Sequence, residues 1–284
     1  MKKILVPTDF SENAYNALKY GVNLFAREDC VFYLLYTYTP AVYNSGYGVV
    51  AHKSIDEIYR TKNIKSLSTI IKRIKKEFPN EKHSFKKETS FSLLQDEIKN
   101  QVKTKKIDLI IMGTQGATGA AQILFGTHTI HAIKGAICPL LAIPSNFEFT
   151  QPTNILYATD YEADITAEHL HILKVIAGIH SSKIQILHVI QKEPLDSEQK
   201  KNKKALAEFL DESSPSFHTI KNETVQQGIF HFQKENPTDL LIMVRHKRSF
   251  FYNLFLGSVV DKIGFQLTTP FLVIPVFQKD NSNK

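Results

Sequence analysis

The chain repeats itself, and this repeat restricts its fold more than any other feature of the sequence. Ile4-Leu5-Val6-Pro7-Thr8-Asp9 is answered 151 residues later by Ile155-Leu156-Tyr157-Ala158-Thr159-Asp160. Asp108-Leu109-Ile110-Ile111-Met112 returns as Asp239-Leu240-Leu241-Ile242-Met243, and Pro139-Leu140-Leu141-Ala142-Ile143-Pro144 as Pro270-Phe271-Leu272-Val273-Ile274-Pro275, both 131 residues later. The order is the same in both halves, so the chain reads as two copies of one domain. The drop in offset makes the first copy longer in its middle, at Thr39–Lys53 and the long helix after it. A short polar stretch with a proline, Asn146–Pro152, separates two apolar strand patterns and sets domains of residues 1–146 and 152–277.

Within each copy short apolar runs alternate with longer amphipathic ones, the signature of βαβ units around a parallel sheet buried on both faces. In the first copy the pattern predicts strands at Lys3–Val6, Val31–Tyr36, Ser84–Glu88, Leu109–Met112 and Leu140–Ile143. Helices are expected at Glu12–Ala26, Ile55–Phe78, Leu93–Thr104 and Thr127–Ala136. The second copy repeats the strands at Asn154–Tyr157, Lys183–Val189, His218–Thr224, Leu240–Val244 and Phe271–Ile274. The expected fold is therefore α/β, two tandem domains with a five-stranded parallel sheet each.

Composition narrows the function classes. At 43% apolar and 22% charged the chain can bury a core. Two cysteines, Cys30 and Cys138, make no disulfide framework and suit a reducing compartment, so the cytoplasm is expected. The Met-Lys-Lys-Ile-Leu-Val-Pro-Thr-Asp start is expected to be neither signal peptide nor anchor, and no apolar run is long enough to span a membrane. The net charge of +7 lies wholly in residues 1–150, which carry 20 Lys and Arg against 13 Asp and Glu. Much of it is Lys72, Arg73, Lys75 and Lys76, opposite Ile64, Leu67, Ile71, Ile74 and Phe78 at steps of three and four. That is the wet face of an amphipathic helix, and without further basic stripes nucleic acid is not an expected partner.

In a doubly wound sheet, ligands lie beyond the carboxyl ends of the strands where the strand order switches. Two segments fall there. Pro7-Thr8-Asp9-Phe10-Ser11 follows the first strand and puts a carboxylate at the mouth of the sheet. Asp9 either accepts hydrogen bonds from a sugar's hydroxyls or, with Ser11, caps the next helix. After the fourth strand, Met112-Gly113-Thr114-Gln115-Gly116 leads through nine residues to Gly126-Thr127 at a helix start. Glycines admit a close ligand, and a helix start offers unpaired amides and a positive dipole to a phosphate. The loop is no P-loop, because no Gly-Lys-Ser/Thr closes it. Gly257-Ser258 persists in a copy without the other glycines, which leaves helix capping open as a role for Gly126-Thr127 as well.

On these residues the chain resembles the universal stress protein family in its tandem form. Val6-Pro7-Thr8-Asp9, Leu34-Leu35-Tyr36 and Gly113-x2-Gly116-x9-Gly126-Thr127 carry the resemblance, together with Asp160, Leu187-His188-Val189 and Gly257-Ser258. The resemblance implies a flavodoxin-like or Rossmann-like sandwich holding ATP, with or without Mg2+, across the strand ends. Carried over by position, it puts Asp9 at the ribose, with Pro7 and Thr8 lining the turn, and Thr37 at the adenine. Met112, Gly113, Gly116, Gly126 and Thr127 would wrap the phosphates. Val244 and Lys247 replace Gly113 and Gly116 in the second copy, so ATP is expected in the N-terminal domain alone. It also implies pairing of the last strands, Leu140–Ile143 with Phe271–Ile274 within one chain, or across a homodimer.

The expected function is stress-response regulation by nucleotide-dependent contacts with a protein partner. No nucleophile elbow, catalytic triad or carboxylate pair argues for an enzyme, although slow ATP hydrolysis is compatible. The rivals are a nucleotide-free interaction module and an adenine-nucleotide enzyme. His128 with His131, and His169 with His171, lack further ligands at zinc spacing, so no metal site is expected. Arg245-His246-Lys247-Arg248 reads as a solvated basic loop, Phe250–Phe255 as packing beneath it, and Thr39–Lys53 as a cover or an exposed loop.

Overall fold

The computed structural model describes residues 1–38, 49–114, 126–145, 147–191, 194–246 and 268–276. The chain divides into two compact units, with the change of unit between Phe149 and Thr150. The first contains β1 (Lys2–Pro7), α1 (Glu12–Leu24), β2 (Cys30–Thr37), α2 (Val49–Glu77), β3 (His83–Ser90), α3 (Leu94–Lys105), β4 (Leu109–Gly113), α4 (Thr127–Gly135) and β5 (Leu140–Ile143). Its strands are parallel, in the order β3-β2-β1-β4-β5. The second contains β6 (Asn154–Ala158), α5 (Ala167–His180), β7 (Lys183–Val189), α6 (Ser197–Leu210), β8 (Ser216–Ile220), α7 (Val225–Glu235), β9 (Leu240–Arg245) and β10 (Phe271–Pro275). Its parallel order, β8-β7-β6-β9-β10, matches strand for strand.

In each unit the connections reverse direction between the first and fourth strands, so the switch lies between β1 and β4, and between β6 and β9. The central strands are apolar because helices cover both faces. Every residue of β4, β5 and β10 is buried, and each such Leu, Ile or Val contributes about 1.5–3 kcal/mol relative to exposure. The repeated Asp before the fourth strand clamps the sheet. Asp108 accepts the Lys3 amide at 2.7 Å while its own amide donates to the Lys3 carbonyl, and Asp239 does the same with Asn154. α1 starts at Ser11, whose hydroxyl accepts the Ala14 amide, and buries Tyr15, Leu18, Tyr20, Val22 and Leu24. Gly21 lets α1 approach β4 closely, since a Cβ there would stand 2.9 Å from Ile111 Cδ1.

Two sequence-based boundaries are corrected. α2 begins at Val49 rather than Ile55, so part of the segment read as an insertion loop is helix, and residues 39–48 lie outside the described residues. β8 runs Ser216–Ile220 rather than His218–Thr224. Thr224 is taken by the α7 capping box with Gln227, and Asn222 has φ 61°, which ends the strand. The basic residues Lys72, Arg73, Lys75 and Lys76 of α2 are exposed while Leu67 and Ile74 are buried, the amphipathic arrangement expected. The Arg73 guanidinium lies 3.8 Å above the Tyr15 ring and binds Glu12 at 2.6 Å and Glu77 at 2.9 Å.

Candidate functional site

The turn after β1 is fixed by its own side chains. The Thr8 amide donates to Leu35 O, and Thr8 Oγ1 accepts the Phe10 amide at 3.1 Å. Asp9 Oδ1 accepts both the amide and the hydroxyl of Ser11, and Ser11 Oγ caps α1. The cap is therefore Ser11, while exposed Asp9 holds Ser11 in place. Phe10 adopts φ 66°, a region that costs an L-residue about 1–2 kcal/mol. Its ring packs at a tilt 4.5 Å from that of Tyr36, a contact that works against the strain.

The fourth-strand loop is closed at its ends. β4 runs through buried Met112 to Gly113, and the next residue, Thr114, donates its amide to Ile143 O. Thr114 O accepts the Gly126 amide, so the chain leaves and returns through one hydrogen bond. Buried Thr129, in the first turn of α4, adds a second tie, donating its hydroxyl to Gly113 O at 2.8 Å. Gly126 is the N-cap of α4 and makes no side-chain cap, while Thr127 is exposed beside it. The first-turn amides of α4 thus carry the partial positive charge of a helix start without a capping oxygen from the N-cap. Gly116 lies outside the described residues.

β1 and β4 are neighbours in the sheet, so the Pro7–Asp9 turn and the Met112–Gly113 strand end stand side by side. Between them comes Asn13 of α1, whose carboxamide occupies the space a Gly113 Cβ would need, with Nδ2 2.6 Å from that position. Thr37 ends β2, on the other side of β1, and is half-buried. Rings gather next to it: Tyr36 lies 6.3 Å from Tyr38, and Tyr38 lies 5.9 Å from both Tyr59 and Phe91. Sequence reasoning missed Asn13, Thr129 and these rings. The alternation of Tyr36 and Tyr38 was the available signal for the rings.

The model of the universal stress protein family matches residues 1–144 and again residues 152–275. The chain belongs to the universal stress protein family. Universal stress protein MJ0531 of Methanocaldococcus jannaschii is 30% identical over 142 residues, which are 50% of this chain and 81% of that protein. Universal stress protein MJ0577 of the same organism is 30% identical over 154 residues, 50% of this chain and 94% of that protein. A solved universal stress protein from Archaeoglobus fulgidus covers 96% of this chain and 98% of its own, at TM-score 0.66 and 18% identity, and shares the fold.

The second universal stress protein unit reproduces the bonds made by the turn's backbone amides. The Thr159 amide donates to Leu187 O, Thr159 Oγ1 accepts the Tyr161 amide, and Asp160 Oδ1 accepts the Glu162 amide. Tyr161 has φ 59° and packs at a tilt against His188 at 5.0 Å, as Phe10 does against Tyr36. What differs is around it. Val244 fills the Gly113 position, and α5 starts at Ala167 under a Thr166 cap, so Asp164, the counterpart of Asn13, precedes the helix. The sheet stays paired further, through Ala158↔Met243, whereas the β1–β4 register ends at Leu5↔Ile110.

The expected solvated loop after β9 needs correction. Arg245 is half-buried, with its guanidinium pKa lowered by burial, and His246 is buried. Strand β9 carries these residues further into the fold than a basic tetrapeptide suggests. Lys247, Arg248, Phe250–Phe255, Gly257 and Ser258 lie outside the described residues. Among the described residues no helix is long and apolar enough to cross a membrane. Both cysteines are free and buried, and burial pushes each thiol up to about 12.

Proposed function

We propose that residues 1–146 form a nucleotide domain that binds ATP, with or without Mg2+, and that residues 152–277 form a domain that does not. The loop bounded by Gly113 and Gly126 carries this reading. It is tied at both ends, opens onto the start of α4, and stands at the switch point beside the Asp9 turn. In this pose Met112, Gly113, Gly116, Gly126 and Thr127 take the phosphates, the first-turn amides of α4 supplying donors. Asp9 takes the ribose beside Pro7 and Thr8. The base lies along Thr37, against the rings of Tyr36 and Tyr38. A purine on such rings gains stacking energy that a flexible polar loop would not supply.

The protein then acts in the cytoplasm as a stress-response regulator, presenting different contacts to a protein partner with and without nucleotide. Turnover is not part of the proposal.

Thermal unfolding with and without millimolar Mg-ATP tests the binding. A ligand at 100 times its Kd adds about 2.7 kcal/mol to folding stability. The wild type is expected to melt several degrees higher with nucleotide, and a Gly113→Val, Gly116→Lys variant to show no such rise. Because a valine side chain in place of Gly113 must displace Asn13, Gly116→Lys alone is the companion variant. No shift in wild type, with no nucleotide co-purifying, refutes the proposal.

One observation favours a second reading, a nucleotide-free interaction module. Ile58, Tyr59, Phe91 and Leu93 of the first unit are exposed, an apolar group suited to a partner surface. Charged substitutions at Ile58 and Leu93 would then abolish partner capture with and without ATP alike.

A further inference from the structure

The second unit gathers metal-ligand side chains where the first holds a single carboxylate. Beyond the carboxyl ends of β6 and β9, the carboxylates of Asp160 and Glu162 and the imidazole of His246 converge. Their ligand atoms all lie within 4.8 Å of one another. The His246 side chain is 2% exposed and that of Asp160 16%, and His246 Nε2 stands 3.5 Å from Asp160 Oδ1. Two ligands at about 2.1 Å from a tetrahedral ion are about 3.4 Å apart, close to the spacing seen.

The group is held by rigid elements. Met243 of β9 pairs with Ala158 of β6, so His246 and Asp160 leave adjacent strands together. The turn carrying both carboxylates is fixed by the Glu162 amide on Asp160 Oδ1 and by Gln199 of α6, which donates to Asp160 O at 2.9 Å. Such support orients ligands before an ion arrives. Glu162 is exposed, which gives an ion entry from solvent and leaves room for water as a further ligand.

The internal repeat supplies an independent argument. The first-copy counterparts of Asp160, Glu162 and His246 are Asp9, Ser11 and Gln115. Asp is common to both turns. A carboxylate and an imidazole, both good ligands for zinc, replace a hydroxyl and an amide in the same copy whose glycines became Val244 and Lys247.

We propose that Asp160, Glu162 and His246 bind a divalent transition-metal ion, zinc by the match of one imidazole and two carboxylates. The ion sits between the second unit's counterparts of the Asp9 turn and of the fourth-strand end. The test uses the full chain, stripped with chelator, desalted and titrated with zinc chloride by calorimetry, with bound metal counted after gel filtration. Wild type is expected to bind one equivalent, and Glu162→Gln and His246→Gln each to weaken it at least about tenfold. Glu162 is exposed, so Glu162→Gln decides the matter even if the buried His246→Gln fails to fold. His231→Gln, at the exposed His231–Glu223 pair, should keep full affinity. Absence of zinc binding, full-strength binding by Glu162→Gln, or loss of the site in His231→Gln overturns the proposal.

Discussion

Replacing Thr129 with valine isolates the tie that closes the fourth-strand loop. Thr129 is 3% exposed and its hydroxyl donates to Gly113 O at 2.8 Å, inside the fold. Valine keeps the shape and nearly the same helix propensity, so the change is confined to the hydroxyl. A buried hydrogen bond is worth about 0.5–1.5 kcal/mol net, and a carbonyl that loses its partner adds desolvation cost, so about 1–2 kcal/mol should be lost. For a unit of this size that is a fall in Tm of roughly 2–8 °C. The second copy has Val260 at this position, so the substitution borrows a residue the fold already carries. If the tie also sets the spacing between β4 and the amides of α4, Mg-ATP should raise the Tm of Thr129→Val less than that of wild type. Thr129→Ser should recover both. A Thr129→Val variant melting within about 1 °C of wild type would refute the assigned energy. A normal nucleotide shift in it would refute the positioning role.

Two further perturbations test the packing and the charges. Gly228→Ala in α7 would place a Cβ 2.7 Å from Val189 Cγ2, and the stiff β-branched side chain should turn the usual helix gain of alanine into a loss of about 1–3 kcal/mol. A double-mutant cycle with Val189→Ala, by urea unfolding, should show the loss vanish; an unchanged or stabilised single variant would contradict the clash. Hydrogen bonds from Arg73 hold the carboxyls of Glu12 and Glu77 below their ordinary value of 4.5. Folded-state values lower than unfolded ones mean stability that is present above pH 4.5 and lost as pH falls through the depressed values. Melting curves on both sides of that range should therefore show a steeper acid loss for wild type than for Arg73→Met, and parallel curves would count against the network.

Much of the fold was legible because its signals are periodic and occur twice. The run Leu109–Met112 is apolar at every position, which only a strand buried on both faces needs, and Leu240–Met243 repeats it. The edges were less legible. Ser216–Ile220 has exposed and half-buried residues, so it lacks a continuous apolar run, and the β-branched Thr224 drew the expected strand past its end. At the site, spacing along the chain marked Asp9, Gly113 and Gly126. It could not mark Thr129 or Asn13, whose roles come from a helix turn meeting a strand end. His246 was read by charge as solvated, although it is buried directly after β9.

The two turns within one chain separate scaffold from chemistry in a way a single domain would not. Thr8, Asp9 and Phe10 make the same backbone-amide bonds in the turn as Thr159, Asp160 and Tyr161, with the positive φ and the tilted aromatic contact. One of these turns lacks the glycines beside it, so the Asp turn is required by the fold whether or not a nucleotide is bound. Its presence in the first unit therefore cannot by itself argue for ATP. The weight falls on what surrounds the turn, which differs between the copies: Gly113 against Val244, Asn13 in a helix against Asp164 before one, and Ser11 against Glu162. On the first side α4 starts without a side-chain cap and its amides carry positive charge, whereas Glu162 on the second side adds negative charge. With ATP proposed for the first unit and a cation for the second, a shared scaffold with opposite electrostatic lining would serve ligands of opposite sign.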